Sequence, residues 1–94
     1  MSVYYVINLS ISESQSSPKT VTYASLTDVY GVSLPSTFTS APFIAIASRQ
    51  QDRGANIISG SKTVTQFQIA LSDLAGDGSV TTGLFDLIIV GTAT

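Results

Sequence analysis

Cysteine, histidine and tryptophan are all missing from this chain of 94 residues. Without cysteine there is no disulfide framework and no thiolate zinc site. Without histidine the usual imidazole base and the commonest metal ligand are gone. Charge is scarce as well: four basic and six acidic residues make up 11% of the chain, for a net charge of −2, against roughly 25% charged residues in an average domain. So few basic groups exclude the clustered positive face that nucleic-acid binding needs. No apolar run approaches the roughly 18 residues of a membrane span. The opening MSVYYVINLSISES has no basic n-region and mixes polar with apolar residues, so neither a signal peptide nor membrane insertion is expected.

Catalytic chemistry is equally short of parts. The carboxylates are Glu13, Asp28, Asp52, Asp73, Asp77 and Asp86. Asp28, Asp73 and Asp77 stand beside Gly or turn residues, where Asp closes a turn through its own side chain. Asp73 to Gly78 lacks the alternating acidic spacing and terminal Glu of a calcium loop. No Ser sits in a nucleophile elbow, and no His is there to activate a hydroxyl. The expectation is a protein that is not an enzyme, with no metal and no cofactor.

What is present is alternation, at 44% hydrophobic residues and with no helical periodicity. From Val3 to Ser12 the odd positions Val3, Tyr5, Ile7, Leu9 and Ile11 are expected to form one face of a long half-buried strand. The stretch Glu13 to Pro18 reads as a turn, and Lys19 to Leu26 as the returning strand of a hairpin. Val32 to Leu34 reads as a short strand stopped at Pro35. Pro42 to Ala47 is apolar on both faces and must be covered on both sides. Arg49 to Asn56 reads as a polar loop, followed by a short strand ending at Gly60. In Thr63 to Leu71, Thr65, Phe67, Ile69 and Leu71 share a face. Asp73 to Gly83 reads as a long glycine-rich turn, and Phe85, Leu87 and Ile89 face inward from a last strand. Six to eight short strands of this kind describe a small antiparallel β-sandwich in one domain, all-β throughout.

Three segments, in this order, carry a resemblance: the Pro- and Phe-bracketed LPSTFTSAPFIAIAS (Leu34 to Ser48), the alternating TVTQFQIAL (Thr63 to Leu71) and the closing FDLIIVG (Phe85 to Gly91). The chain resembles the H-type lectin-like β-sandwich found at the C-terminal tips of phage tail fibres. The resemblance covers Leu34 to Gly91 and leaves 1–33 as an N-terminal hairpin or arm. It implies a virion protein made in the host cytoplasm, a homotrimer, and a tail-fibre or receptor-binding tip that contacts other virion proteins and the host surface. A capsid decoration or cement protein and a small carbohydrate-binding lectin are the alternatives. H-type lectins hold sugar in shallow clefts near a subunit boundary, using aromatic or His side chains. This chain has no Trp or His.

Two sets of residues stand out as sites. Arg49, Gln50, Asp52, Arg53 and Asn56 offer forked donors, a carboxylate and amides, which suit sugar hydroxyls on a host-surface glycan or an intersubunit network. Tyr4, Tyr5, Tyr23 and Tyr30, with Phe43, are candidate assembly residues, because Tyr joins an apolar ring to a polar tip.

Overall fold

The computed structural model describes residues 1–11, 18–49, 53–73 and 83–94. Among the described residues six strands are formed: β1 (Ser2–Ile11), β2 (Lys19–Thr22), β3 (Phe43–Ser48), β4 (Arg53–Ile57), β5 (Gln66–Asp73) and β6 (Gly83–Gly91). They make two three-stranded antiparallel sheets, the first ordered β1-β6-β3 and the second β2-β5-β4. The only helical element among the described residues is one 3-10 turn, Tyr23–Ser25. The chain is therefore all-β and sandwich-like. The inferred turn at Glu13 to Pro18 and most of Asp73 to Gly83, Asp77 included, lie outside the described residues.

The core forms where the two inner faces meet. Val6, Ile11, Phe85, Leu87 and Ile89 come from the first sheet, and Val21, Phe67, Ile69 and Leu71 from the second. In β5 and β6 alternation decides this directly. Phe67, Ile69 and Leu71 point in, as do Phe85, Leu87 and Ile89, and all six are buried. A period of two leaves the opposite parity facing away.

β1 departs from its expected face. Its inward residues are Tyr4 and Val6, then Leu9 and Ile11, while Val3, Tyr5 and Ile7 point outward and are 46%, 44% and 43% exposed. The cause is a bulge. Pairing with β6 shifts register between Val6 and Leu9, so that Ile7 and Asn8 stand opposite Asp86 alone. Asn8 takes φ +57, a left-handed conformation that Asn tolerates better than most residues. With apolar residues of both parities in β1, the inserted residue switches which set faces inward.

The expected hairpin between β1 and Lys19 to Leu26 does not form. β2 instead pairs with β5 in the other sheet, from Lys19 opposite Ile69 to Thr22 opposite Gln66. The strand stops at Thr22 because Tyr23 turns into the 3-10 element and buries its ring. The first 33 residues are thus no separate arm, since β1 and β2 contribute to one core with the rest. Val32 to Leu34 also forms no strand. Ser33 makes only an isolated bridge to Thr27.

The connection from Tyr23 to Pro42 crosses from the second sheet to the first and closes one end of the molecule. Tyr23, Leu26, Leu34 and Phe38 are buried along it. Phe38 meets Tyr23 edge-on at 5.0 Å and Tyr4 edge-on at 6.1 Å, the T-shaped geometry that ring quadrupoles favour. Gly91 lets this seal close: a Cβ there would stand 2.7 Å from the Phe38 ring. The Tyr23 hydroxyl donates to the Thr63 carbonyl at 3.0 Å, and burial pushes its phenol up to about 12, which keeps it a donor. Thr63, expected in a strand with Thr65, forms a turn instead. Its hydroxyl accepts from the backbone N–H groups of Thr65 and Gln66 at 3.2 Å each.

Candidate interaction surface

The first sheet is apolar on its outer face too. Because Cα partners in antiparallel strands share a face, the register fixes which side chains lie together. Val3, Val90 and Phe43 form one row, and Tyr5, Ile88 and Ala45 form the next. Ile7 and Leu84 extend the patch towards the other end of the sheet. Phe43 is 62% exposed, Ile88 41% and Leu84 38%. The expected two-sided strand Phe43 to Ala47 is therefore seen, with Ile44 and Ile46 packed on the core and Phe43, Ala45 and Ala47 outside. The two-sided pattern of β3 pointed to this surface, whereas Val3, Tyr5 and Ile7 were expected on the half-buried face of β1 and lie outward instead. The further signal was the second apolar set on β6, Leu84, Ile88 and Val90, opposite Phe85, Leu87 and Ile89.

One polar cluster crosses this face at the bulge. The Asp86 carboxylate accepts from the Asn8 backbone N–H at 3.1 Å and from Arg49 Nε, which stands 2.9 and 3.0 Å from its two oxygens. Arg49 N–H also donates to the Leu84 carbonyl at 3.0 Å. Asp86 thereby ties β1, β6 and the end of β3 together. The Arg49 guanidinium, with the Asn8 N–H after it, holds the Asp86 carboxyl below the usual carboxylate range. The two charges are satisfied by each other on an otherwise apolar face.

Beside the edge of β1 sits a locked turn. Asp28 Oδ1 accepts from the N–H groups of Tyr30 and Val32, both at 2.9 Å, and the Asp28 carbonyl accepts from Gly31 at 3.0 Å. Gly31 adopts φ +82, which a residue with a Cβ would resist. Val29 N–H donates to the Tyr5 carbonyl at 2.7 Å, joining the turn to β1. The turn displays Val29, Tyr30 and Val32, 45%, 79% and 53% exposed.

The outer face of the second sheet has the opposite character. Thr20 stands opposite Gln68, Thr22 opposite Gln66, and Asn56 opposite Ala70. Gln68 Nε2 lies 3.5 Å from the Thr20 hydroxyl.

The expected sites now separate. The polar loop from Arg49 to Asn56 is a loop only in part, because Arg53–Ile57 is β4, with Ala55 and Ile57 packed on the core. That alternation was the available signal for a strand. Gln50 and Asp52 lie outside the described residues, and for Arg53 only the strand pairing with Asp73 is described. Arg49 belongs with Asp86 on the outer side of the first sheet and Asn56 with the second sheet, so these two do not share a surface. Of the aromatic candidates, Tyr5, Tyr30 and Phe43 are exposed and Tyr4 is partly buried against the core. Tyr23 is fully buried and belongs to the interior of one chain, which removes it from any assembly surface.

Among the described residues, no three acidic side chains gather into a cation-binding group, and no helix is long and apolar enough to cross a membrane. No family model matches the chain, and searches of curated proteins and of solved structures give no match.

Proposed function

We propose that this chain is a non-enzymatic structural protein of a virion, an H-type lectin-like sandwich serving as a tail-fibre or receptor-binding tip. The observation that carries the structural role is the contrast between its outer faces, one apolar and one made of amides and hydroxyls. The largest apolar patch of a domain is often a functional surface, and on this small domain it is read as an assembly surface. A small domain buries a modest share of its surface, so association adds stability that its own core does not supply. The virion assignment rests on the resemblance of Leu34 to Gly91 to tail-fibre tips, and with it the expectation of a homotrimer. Host contact then falls to the polar face, where Thr20, Gln66 and Gln68 carry the hydroxyl and amide groups that suit sugar hydroxyls.

A capsid decoration protein is the second reading, favoured by the one-sided distribution of apolar surface, which suits docking on a larger lattice. Sedimentation with purified particles and binding to host cells separate the two. A tip binds cells, and Gln68→Ala weakens that binding several-fold, the size of one or two neutral hydrogen bonds. A decoration protein sediments with capsids and leaves cells unlabelled. If the chain neither sediments with particles nor labels cells, the virion reading falls.

A further inference from the structure

We infer that the apolar outer face of the first sheet is covered by a second copy of this chain. The proposal deepens the assembly role above by naming its partner, and it can fail while the virion reading stands.

Three observations select a second copy over another occupant. The first is charge. The ionic groups described on this face, Arg49 and Asp86, neutralise each other within the chain. They leave no net charge to attract a nucleic acid, an anionic lipid surface or a charged peptide, and a face without net charge meets its own image without repulsion.

The second is area. Val3, Tyr5, Ile7, Phe43, Leu84 and Ile88 are each between 38% and 62% exposed. Together they present on the order of 500 Å² of apolar surface, the scale of the largest patch on an ordinary monomer. Against its own copy this doubles to about 1,000 Å², where specific protein interfaces begin.

The third is relief. Phe43 projects at one end of β3 and is followed on the same face by Ala45 and Ala47. A large residue beside a run of small ones on one strand supplies both a knob and its recess, so copies related by symmetry can fill each other. The backbone of β6 is paired on both sides, to β1 and β3. At the centre of the face the contact is therefore made by side chains.

The test is light scattering on the purified protein with no particles present. Wild type is expected at a multiple of the chain mass at micromolar concentration, and Ile88→Asp at the mass of one chain with its circular dichroism unchanged. A monomeric wild type overturns the proposal, and so does an oligomer that Ile88→Asp leaves intact. Should Ile88→Asp fail to fold, single cysteines decide, because the chain has none of its own. Treated with a short bis-maleimide, Ala45→Cys on this face is expected to cross-link between chains and Thr20→Cys on the polar face to remain monomeric. The reverse pattern, or equal cross-linking, overturns the proposal. A monomer that binds particles through this same face would refute self-pairing and leave the virion reading in place.

Discussion

The two sheets share one core and differ in what they turn outward. In the second, Phe67, Ile69 and Leu71 face in while Gln66 and Gln68 face out, the ordinary pattern of an antiparallel sheet with one solvated side. In the first, Leu87 and Ile89 face in, and Ile88 with Val90, Val3 and Phe43 faces out. One chain thus contains a sheet with a polar outer face and a sheet whose outer face is apolar and exposed. Burial alone does not distinguish them, since both inner faces are equally closed. Only the outer faces do.

The largest test of that comparison concerns the half that should be equal. Phe67 of the second sheet and Phe85 of the first are both fully buried, so truncating either to Ala should cost about 3–5 kcal/mol. Chemical denaturation of the two variants checks it. If Phe67→Ala costs little while Phe85→Ala unfolds the protein, the sheets do not share one core.

Gly91→Ala probes the sealed end. The added methyl would press on Phe38 and on Pro42, so the variant should lose about 1–3 kcal/mol by overpacking. A thermal midpoint equal to wild type would show that the Tyr23 to Pro42 connection is loosely held against the first sheet.

The smallest effect is expected at the polar tie on the apolar face. Asp86 is held below the usual carboxylate range by Arg49 and Asn8. A depressed carboxyl stabilises the fold fully above its ordinary value, near pH 4, and loses that contribution as pH falls through its lower folded value. Stability should therefore drop on the acid side, and Arg49→Gln should flatten that drop by giving up part of the contribution at neutral pH, the two proteins converging in acid. An acid limb identical in the two proteins would mean that Asp86 gains nothing from Arg49.

Much of this architecture was legible in the sequence, and the reason is local. Strict alternation in Gln66 to Leu71 leaves one sensible inner face, because a slip of one residue would expose every apolar side chain. In Gly83 to Gly91 the other parity is apolar too, in Leu84, Ile88 and Val90, and Asp86 alone marks it as the outer one. The paired apolar parities of Phe43 to Ala47 likewise announced a strand apolar on both faces. β1 carried no such contrast: Val3, Tyr5 and Ile7 compete with Tyr4 and Val6, and the winner depends on a bulge at Asn8 that the Asp86 carboxylate, 78 residues away, helps to hold. The recognition loop failed for a related reason. Arg53 to Asn56 is polar enough to read as solvent-exposed, yet pairing with β5 makes it a strand and carries Asn56 away from Arg49.

The sequence by itself determined the all-β class, the absence of helical periodicity and the inner faces of β5 and β6. Those follow from the two-residue period of a strand, which each segment carries alone. Only the tertiary structure decided that β2 leaves its neighbour β1 to join β5, that Val3, Tyr5 and Ile7 of β1 face outward, and that they join β3 and β6 in one exposed apolar face. Strand partnership is a contest among distant segments for the same backbone hydrogen bonds, and no segment carries the outcome within its own residues.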